Sequence, residues 1–245
     1  MLNIVIPMAG EGTRFKERGY SFPKPLIEVN NKAMIHVVVE NVTPRCDHQF
    51  IFICRKEHFE KYTLKYLLNL IAPNCRVITL DQPTEGAACT VLLASEYFNN
   101  DNELLIVNSD QYTESNIDKF LEDARERRLD GSILTFQSSH PKWSYAKLDE
   151  EGLIMEVAEK KVISSHATVG IYYYRQGSMF FEAASQMIRK NVRVNNEFYV
   201  CPVYNEMILA GKRIGIYEIE SQRMHGLGTP EDLEKFEKSE AFKNL

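Results

Sequence analysis

The chain has 245 residues, of which 44% are hydrophobic and 26% charged, as in ordinary soluble globular proteins. Its net charge of −5 and pI near 5.8 exclude the broad basic face that a nucleic-acid-binding protein needs. No apolar run approaches the roughly 18 residues of a membrane span, and the first residues predict a core strand rather than a signal peptide. The five cysteines are scattered without a CxxC pair, which indicates reduced thiols rather than a zinc site or a disulfide framework. We therefore expect a cytoplasmic protein that binds neither nucleic acid nor a membrane.

The first half of the chain alternates strand-like and helix-like patterns. Strands are predicted at Ile4–Ile6, Leu26–Val29, Gln49–Cys54, Arg76–Leu80 and Glu103–Val107, and helices at Ala33–Val42, Glu57–Leu70 and Glu85–Phe98. This alternation predicts a parallel sheet covered by helices on both faces. Ligands bind beyond the carboxyl ends of the strands in such sheets, so the loop after the first strand, Asp81-Gln82 and Asp110 are expected on one rim.

The second half of the chain is richer in strands. Strands are predicted at Ser132–Gln137, Tyr145–Leu148, Ile154–Val157, Thr168–Tyr174 and Arg213–Ile219, and helices at Ser178–Lys190, from Pro202 to Leu209, and after Thr229. Thr229 has the character of an N-cap, because proline and two acids follow it in the first turn. No repeat or Pro/Gly-rich linker divides the chain, so we predict one domain over residues 1–245.

Two motifs near the start of the chain suit a bound anion. Gly10 and Gly12 follow the first strand directly, so the backbone can turn tightly and present amide groups to a ligand, and Arg14 adds a cation. Lys24 lies between Pro23 and Pro25, whose rings restrict the backbone on both sides of it. A third glycine and a Gly-Lys-Ser/Thr sequence are both missing, so the loop is neither a Rossmann fingerprint nor a Walker A motif. An ordinary turn is the alternative for the glycine pair taken alone.

The compound pattern of a strand, Gly-x-Gly-Thr-Arg at 10–14 and Pro-Lys-Pro-Leu at 23–26 resembles the signature of the sugar-phosphate nucleotidyltransferases, or pyrophosphorylases. The resemblance implies an α/β, Rossmann-like fold of the GT-A type, with a mixed, mainly parallel sheet flanked by helices. It also implies transfer of a nucleotide from an NTP to a phosphorylated small molecule, with release of pyrophosphate. Residues 1–112 would be the nucleotide-binding half and residues 113–245 the acceptor-binding half.

The same resemblance assigns roles in the nucleotide half. Nucleotide contacts are implied for Met8, Ala9, Gly10, Glu11, Gly12, Thr13, Arg14, Gln82, Gly86, Ala87 and Ser109, and catalytic roles for Arg14, Lys24 and Asp110. Arg14 would hold the β- and γ-phosphates, and Lys24 would neutralise the α-phosphate. Gln82 would hydrogen-bond the base edge and Gly86 would let the backbone approach it. An ordinary loop and helix start is the alternative for that segment.

Asp110 is the predicted ligand of Mg²⁺, a hard ion that prefers oxygen donors and nucleotide phosphates. A turn or N-cap aspartate is its structural alternative. Relatives typically carry a second metal ligand, Asp or Asn, two residues before a Gly-Thr pair, and here that position is Gly226. His225 beside it is the candidate second ligand, although histidine suits Mg²⁺ poorly and a structural role is the alternative.

Acceptor contacts are implied for four residues of the second half. They are Lys160, Tyr172, Asn196 and Glu197. Lys160 would contact the acceptor phosphate, although Lys161 stands where the family usually has proline. A solvated charge cluster at 156–161 and capping of the following helix by Glu197 are the alternatives.

The segments MAGEGTRF at 8–15, GYSFPKPLI at 19–27, NSDQY at 108–112 and NNEFYVCPVYN at 195–205 resemble a branch of the family encoded with bacterial capsule genes. That branch includes the CTP:phosphoglutamine cytidylyltransferases of capsular phosphoramidate synthesis. That likeness implies CMP transfer from CTP to L-glutamine phosphate, with Lys160 or Arg193 on its carboxylate and Glu197 on its ammonium group. A sugar-1-phosphate nucleotidyltransferase using UTP, dTTP or CTP is the alternative. A glycosyltransferase is a further one, although 108–110 is not an Asp-x-Asp pair, and so is a non-catalytic nucleotide-binding regulator.

Overall fold

The computed structural model describes all 245 residues, as 13 strands and 11 α-helices. The strands are β1 Leu2–Pro7, β2 Glu28–Val29, β3 Lys32–Ala33, β4 His48–Arg55, β5 Arg76–Leu80, β6 Glu103–Val107, β7 Gln111–Thr113, β8 Gly131–Gln137, β9 Tyr145–Leu148, β10 Ile154–Ala158, β11 His166–Tyr174, β12 Ile214–Ile219 and β13 Met224–Gly226. The helices are α1 Thr13–Glu17, α2 Met34–Val42, α3 Lys56–Lys61, α4 Leu64–Ile71, α5 Ala87–Leu92, α6 Ser95–Phe98, α7 Ile117–Glu126, α8 Gly177–Arg189, α9 Val203–Leu209, α10 Pro230–Glu237 and α11 Glu240–Lys243. Short 3-10 turns cover Lys24–Leu26 and Ser221–Arg223.

Nine strands form one sheet in the order β10-β9-β11-β6-β1-β4-β5, with β8 pairing β11 and β12 pairing β8. The strands β5, β4, β1 and β6 are mutually parallel, as the alternating pattern predicts. The strand β11 is antiparallel to β6 and joins the two halves of the sheet. The predicted fold class is confirmed, and no helix has the length and apolar character needed to cross a bilayer.

Both faces of the sheet are buried. Ile4 and Ile6 belong to one buried cluster, whereas Val5 between them belongs to another, because successive side chains of a strand point to opposite faces. A third cluster packs Phe15 of α1 against Phe236 of α10. The helix α10 therefore supports the loop that follows β1.

Three predicted elements are wrong in extent. The helix expected over residues 57–70 breaks between α3 and α4, where Thr63 takes a left-handed backbone with φ 52°. The helix expected over 85–98 is two short helices, α5 and α6. The strand expected over 26–29 is only β2, because the prolines around Lys24 favour the 3-10 turn that occupies 24–26.

The elements that were not predicted include β7, β13 and α7. The ribbon of β7 and β13 pairs Gln111 with Gly226, which brings the end of the chain beside the end of β6. The helix α7 buries one face at i, i+3, i+4 and i+7 spacing, and the side chain of Asn116 caps it by accepting from the Asp118 N–H. The predicted N-cap at Thr229 is confirmed, since its side chain accepts from the Asp232 N–H at 3.1 Å.

Candidate active site

Two neighbouring cavities lie at the rim where the parallel strands end. The first, of about 440 Å³, is here called the glycine-loop cavity, and its lining comprises Pro7, Met8, Ala9, Gly10, Glu11, Lys24, Pro83, Thr84, Gly86, Ala87, Thr90, Ser109 and Glu197. The second, of about 510 Å³, is called the Asp110 cavity, and its lining includes Arg14, Asn108, Asp110, Lys142, Trp143, Ser144, Glu159, Lys160, Thr168, Tyr172, Gly226, Gly228 and Asp232. The sequence prediction of one shared rim is therefore correct for the loop after β1 and for 109–110.

The loop after β1 is shaped by Gly12 and by its contact with Lys24. The chain still follows β4 at Met8, whose N–H donates to Ile53 O at 2.8 Å, and then turns away. Gly12 has a left-handed backbone, φ 62°, directly before α1. A Cβ placed on Gly12 would lie 3.2 Å from Lys24 Cβ, so the two motifs are in contact. Gly12 and Thr13 line neither cavity, whereas Gly10 and the residues before it line the first.

Lys24 connects the two cavities through an ion pair. Its Nζ donates to Asp110 Oδ2 at 2.9 Å, and the two side chains are only 20% and 26% exposed. Pro23 and Pro25 on either side of it are buried, which fixes the backbone from which this lysine extends. Lys24 lines the glycine-loop cavity and Asp110 the second cavity, so the pair lies where a group could pass from one to the other.

The surroundings of Asp110 fit a divalent cation held mainly by oxygen. Its Oδ2 faces Gly228 so closely that a Cβ on that glycine would lie 2.6 Å away, so the carboxylate occupies space that only glycine leaves open. The protein has no cluster of three or more His, Cys, Asp and Glu arranged for a metal ion. Mg²⁺ is commonly bound through one or two carboxylates together with nucleotide phosphates and water, which suits this position.

His225 is not placed with Asp110, contrary to its assignment as the second ligand. Its Nε2 lies 2.9 Å from Glu114 Oε1, and its ring packs against Phe236 with centroids 5.0 Å apart. It lines neither of the two cavities. Because side chains alternate along β13, Gly226 faces the Asp110 cavity and His225 points elsewhere.

The segment around Gly86 is held by the distant residue Phe198. The Phe198 N–H donates to Glu85 O at 2.8 Å and its carbonyl accepts from the Ala88 N–H at 3.0 Å. Gly86 has φ 127°, and a Cβ there would lie 2.5 Å from Phe198 O, so this close approach requires glycine. Gly86 and Ala87, for which nucleotide contacts are predicted, line the glycine-loop cavity, but Gln82 is exposed and lines neither cavity.

Three residues expected at the acceptor lie elsewhere. Glu197 lines the glycine-loop cavity, and Asn196 and Arg193 line neither cavity. Arg193 lies over the Phe198 ring at 4.0 Å, pairs with Glu85 and donates to Asn196 O at 3.1 Å, so it braces this segment. Val194 and Glu197 pair across a tight turn, which the sequence analysis did not predict.

The other two acceptor candidates lie in the Asp110 cavity. Lys160 has a left-handed backbone, φ 52°, and its Nζ lies 2.5 Å from the Tyr199 hydroxyl. Proline restricts the residue before it to extended conformations, so Lys161 in place of proline is compatible with this turn. Tyr172 is buried, with its hydroxyl 3.2 Å from Thr168 Oγ1. Arg14 is exposed and also lines this cavity rather than the glycine-loop cavity.

Comparison with known proteins agrees with this geometry. The family model described as Nucleotidyl transferase matches residues 4–212. The chain belongs to this family. The bifunctional protein GlmU of Methanocaldococcus jannaschii is 22% identical over 183 residues, which are 74% of this chain and 41% of that protein. The chain thus matches less than half the length of this curated relative.

Solved structures share the fold over nearly the whole chain. A nucleoside-diphosphate-sugar pyrophosphorylase from Vibrio cholerae RC9 superposes with a TM-score of 0.83 at 24% identity, covering 96% of this chain and all of that one. The inositol-1-phosphate CTP transferase from T. maritima superposes with a TM-score of 0.74 at 12% identity, covering 97% and 96%.

This nucleotidyl transferase has a half-buried carboxylate, Glu159, in the Asp110 cavity to which the sequence assigned no role. Glu159 accepts a hydrogen bond from Ser144 Oγ, and burial raises the pKa of its carboxyl although Ser144 and Lys160 oppose the shift. The Glu-Lys pair at 159–160 was the sequence feature from which a role for Glu159 could have been predicted. Lys142 and Asp232 were also missed, because their contact joins segments 90 residues apart.

Proposed function

We propose that this chain transfers CMP from CTP to a phosphorylated small-molecule acceptor, L-glutamine phosphate, and releases pyrophosphate. The contact between Lys24 and Asp110 at the junction of two cavities carries this proposal. One cavity is bordered by the amides of a glycine loop, which suit phosphates. The other contains both cationic and acidic side chains, which suit an acceptor with several charges.

The reaction requires one new bond and one broken bond. An oxygen of the acceptor phosphate attacks the α-phosphorus of the nucleotide, and the bond from that phosphorus to the bridging oxygen of the β-phosphate breaks. The electron pair leaves with pyrophosphate. Because the attacking oxygen is already anionic, no side chain has to remove a proton. Catalysis then consists of positioning and of neutralising charge.

Each charged residue at the junction has a role in this scheme. Lys24 neutralises the α-phosphate, and the loop amides of Gly10 and Glu11, which line the glycine-loop cavity, hold the β- and γ-phosphates. Arg14 adds positive charge from the side of the Asp110 cavity. Asp110 would hold Mg²⁺, which when bound neutralises phosphate oxygens during the transfer.

The preference for CTP is supported by Glu197. Glu197 lines the glycine-loop cavity together with Gly86, the position implied to face the base. A carboxylate accepts hydrogen bonds, and the exocyclic amino group of cytosine donates one, whereas uracil and thymine present a carbonyl oxygen there. Glu197 is therefore assigned to the base rather than to the acceptor.

The charged acceptor is supported by the composition of the Asp110 cavity. Lys142 and Lys160 offer two cations for the phosphate and the α-carboxylate, and Glu159 offers a half-buried carboxylate for the ammonium group. The likeness of several segments to the capsule-associated branch points to the same acceptor. A sugar 1-phosphate is the second candidate, because relatives such as the Vibrio cholerae protein are described as acting on nucleoside-diphosphate sugars.

The direct test is pyrophosphate release with Mg²⁺, each of the four NTPs, and a panel of L-glutamine phosphate and common sugar 1-phosphates. Turnover with CTP and L-glutamine phosphate supports the proposal in full. Turnover with a sugar 1-phosphate retains nucleotidyl transfer and overturns the acceptor. Nucleotide binding without turnover on any acceptor overturns the reaction itself.

The base assignment has a separate test in Glu197→Gln. A glutamine amide can donate to a uracil oxygen, so we expect the ratio of kcat/KM for CTP over UTP to fall about tenfold or more. Glu85→Gln is the matched control, because this exposed carboxylate lies nearby but lines neither cavity. An equal ratio in both variants would remove Glu197 from base recognition.

A further inference from the structure

A backbone strip formed by two glycines faces two carboxylates in the Asp110 cavity. Gly228 lies against Asp110, where a Cβ would be 2.6 Å from Oδ2. Gly226 lies against Asp232, where a Cβ would be 3.4 Å from Cγ and 3.5 Å from Oδ2. All four residues line the same cavity, so both carboxylates border one space.

Asp232 is held in this position by two contacts. Its N–H donates to Thr229 Oγ1 at 3.1 Å, which fixes it in the first turn of α10. Its carboxylate accepts from Lys142 Nζ at 2.8 and 3.2 Å, and its side chain is 24% exposed. Asp110 has a matching environment, with Lys24 at 2.9 Å and 26% exposure. Each carboxylate is thus a partly buried acceptor paired with one lysine.

The space beside Gly226 is bordered by a carboxylate. A side chain at position 226 would begin within contact distance of the Asp232 carboxyl group. Gly226 is also the position at which the sequence lacks the acidic residue implied by the family pattern. The Asp232 carboxylate thus lies next to the position from which a side chain at 226 would extend.

We propose that Asp232 is the second carboxylate for the divalent cation at Asp110, supplied by helix α10 in place of a side chain at position 226. This inference rests on the proposed function, because the cation is bound together with the nucleotide phosphates. Two carboxylates with nucleotide phosphates and water form an oxygen donor set that suits Mg²⁺. Lys142 balances the charge of Asp232 when the cation is absent, and cation binding displaces it.

The test measures Mn²⁺ affinity by electron paramagnetic resonance, with α,β-methylene-CTP present so that no transfer occurs. We expect D232N to bind Mn²⁺ about 10- to 100-fold more weakly than the wild type, and D110N to lose at least as much. Glu231→Gln is the matched control, because this acid occupies the same helical turn but is exposed and paired with Arg18. It should bind Mn²⁺ as the wild type does.

Two further variants separate a cation ligand from a structural partner of Lys142. K142M should bind Mn²⁺ at least as tightly as the wild type, because it removes the competing cation. The double variant G226D/D232N should regain affinity lost in D232N, because the vacated carboxylate position is filled from 226. Thermal midpoints of each variant monitor folding.

The outcomes distinguish this inference from the proposed function. Unchanged Mn²⁺ affinity in D232N, or equal weakening in D232N and K142M, overturns the role of Asp232 while the nucleotide site stands. Failure of the wild type to bind Mn²⁺ with the nucleotide analogue overturns both.

Discussion

Lys24 Nζ lies 2.9 Å from Asp110 Oδ2, although 86 residues separate them and each lines a different cavity. The glycine loop packs against the lysine through Gly12, and Gly228 leaves space for the aspartate. The junction is therefore rigid on both sides, as charge neutralisation during phosphoryl-group chemistry requires.

Removal of either charge at this junction should slow the transfer step. We expect Lys24→Met and Asp110→Asn each to lower kcat by about 10²–10³, because a preorganised charge is lost. The double variant should lose less than the product of the two effects, since the residues act as a unit. Steady-state pyrophosphate release measures this, and Lys32→Met, a lysine paired with Glu40 away from the site, is the control. A Lys24→Met enzyme with wild-type kcat would contradict the assignment.

Gly86→Ala should damage both stability and nucleotide binding. The new Cβ would lie 2.5 Å from Phe198 O, and φ 127° strains any other residue, so we expect a loss of about 1–3 kcal/mol in the free energy of unfolding. The KM for the nucleotide should rise because the segment displaced lines the glycine-loop cavity. Gly152→Ala is the control, because Gly152 also has positive φ, 76°, but open space around it. Equal effects in urea denaturation and in KM would show that the Phe198 contact is unimportant.

The pH dependence of acceptor binding should reveal Glu159. Burial raises the pKa of this carboxyl group, so its protonation as pH falls would remove the charge proposed to contact the acceptor. We expect Glu159→Gln to raise the acceptor KM about 10-fold or more at pH 8, in line with a hydrogen bond to a charged group. The ratio of variant to wild-type KM should fall toward one as pH decreases. Titration of the acceptor phosphate affects both enzymes equally and therefore cancels in the ratio of the two KM values. A ratio that does not change with pH would contradict the role of Glu159 in acceptor binding.

Glu103 should stabilise the fold in a pH-dependent way. Burial alone would raise the pKa of its carboxyl group, but hydrogen bonds from Arg125 at 2.6 and 2.7 Å and from Tyr173 at 2.7 Å lower it overall. A carboxyl group with a lowered folded pKa contributes stability above its unfolded value, and this contribution is lost as pH falls through the folded pKa. We expect Glu103→Gln to cost about 1.5–3 kcal/mol in the free energy of unfolding at pH 7.

Urea denaturation at pH 7 and near pH 3.5 checks this expectation. The difference between wild type and Glu103→Gln should shrink at the lower pH. Glu220→Gln is the control, because Glu220 is 72% exposed and lies 3.8 Å from Arg223. A difference of the same size at both pH values would show that the charge of Glu103 is not the cause.

Local sequence patterns were sufficient for the parallel strands and for the approach of the glycine loop to residues 109–110. The parallel orientation of these strands follows from the alternation of strands and helices, and ligand sites follow from where parallel strands end. The break at Thr63 and the placement of Glu197 were not predictable in this way. Glu197 lies at a turn that is held by the backbone hydrogen bonds of Phe198 with Glu85 and Ala88, and both partners are more than 100 positions away in sequence. Asp232 appeared only as a first-turn acid, because its contact with Lys142 is equally remote in sequence.

Three consecutive residues connect the glycine-loop cavity with the Asp110 cavity. Glu197 lines the glycine-loop cavity, Phe198 bonds to the backbone on both sides of Gly86, and Tyr199 contacts Lys160 in the Asp110 cavity. If binding of one substrate shifts this short segment, the lining of the other cavity therefore changes as well. Thermodynamic reciprocity then requires that the nucleotide alter acceptor affinity by the same factor as the acceptor alters nucleotide affinity. A mutation at Phe198 would act on the cooperativity between the substrates as well as on either affinity alone.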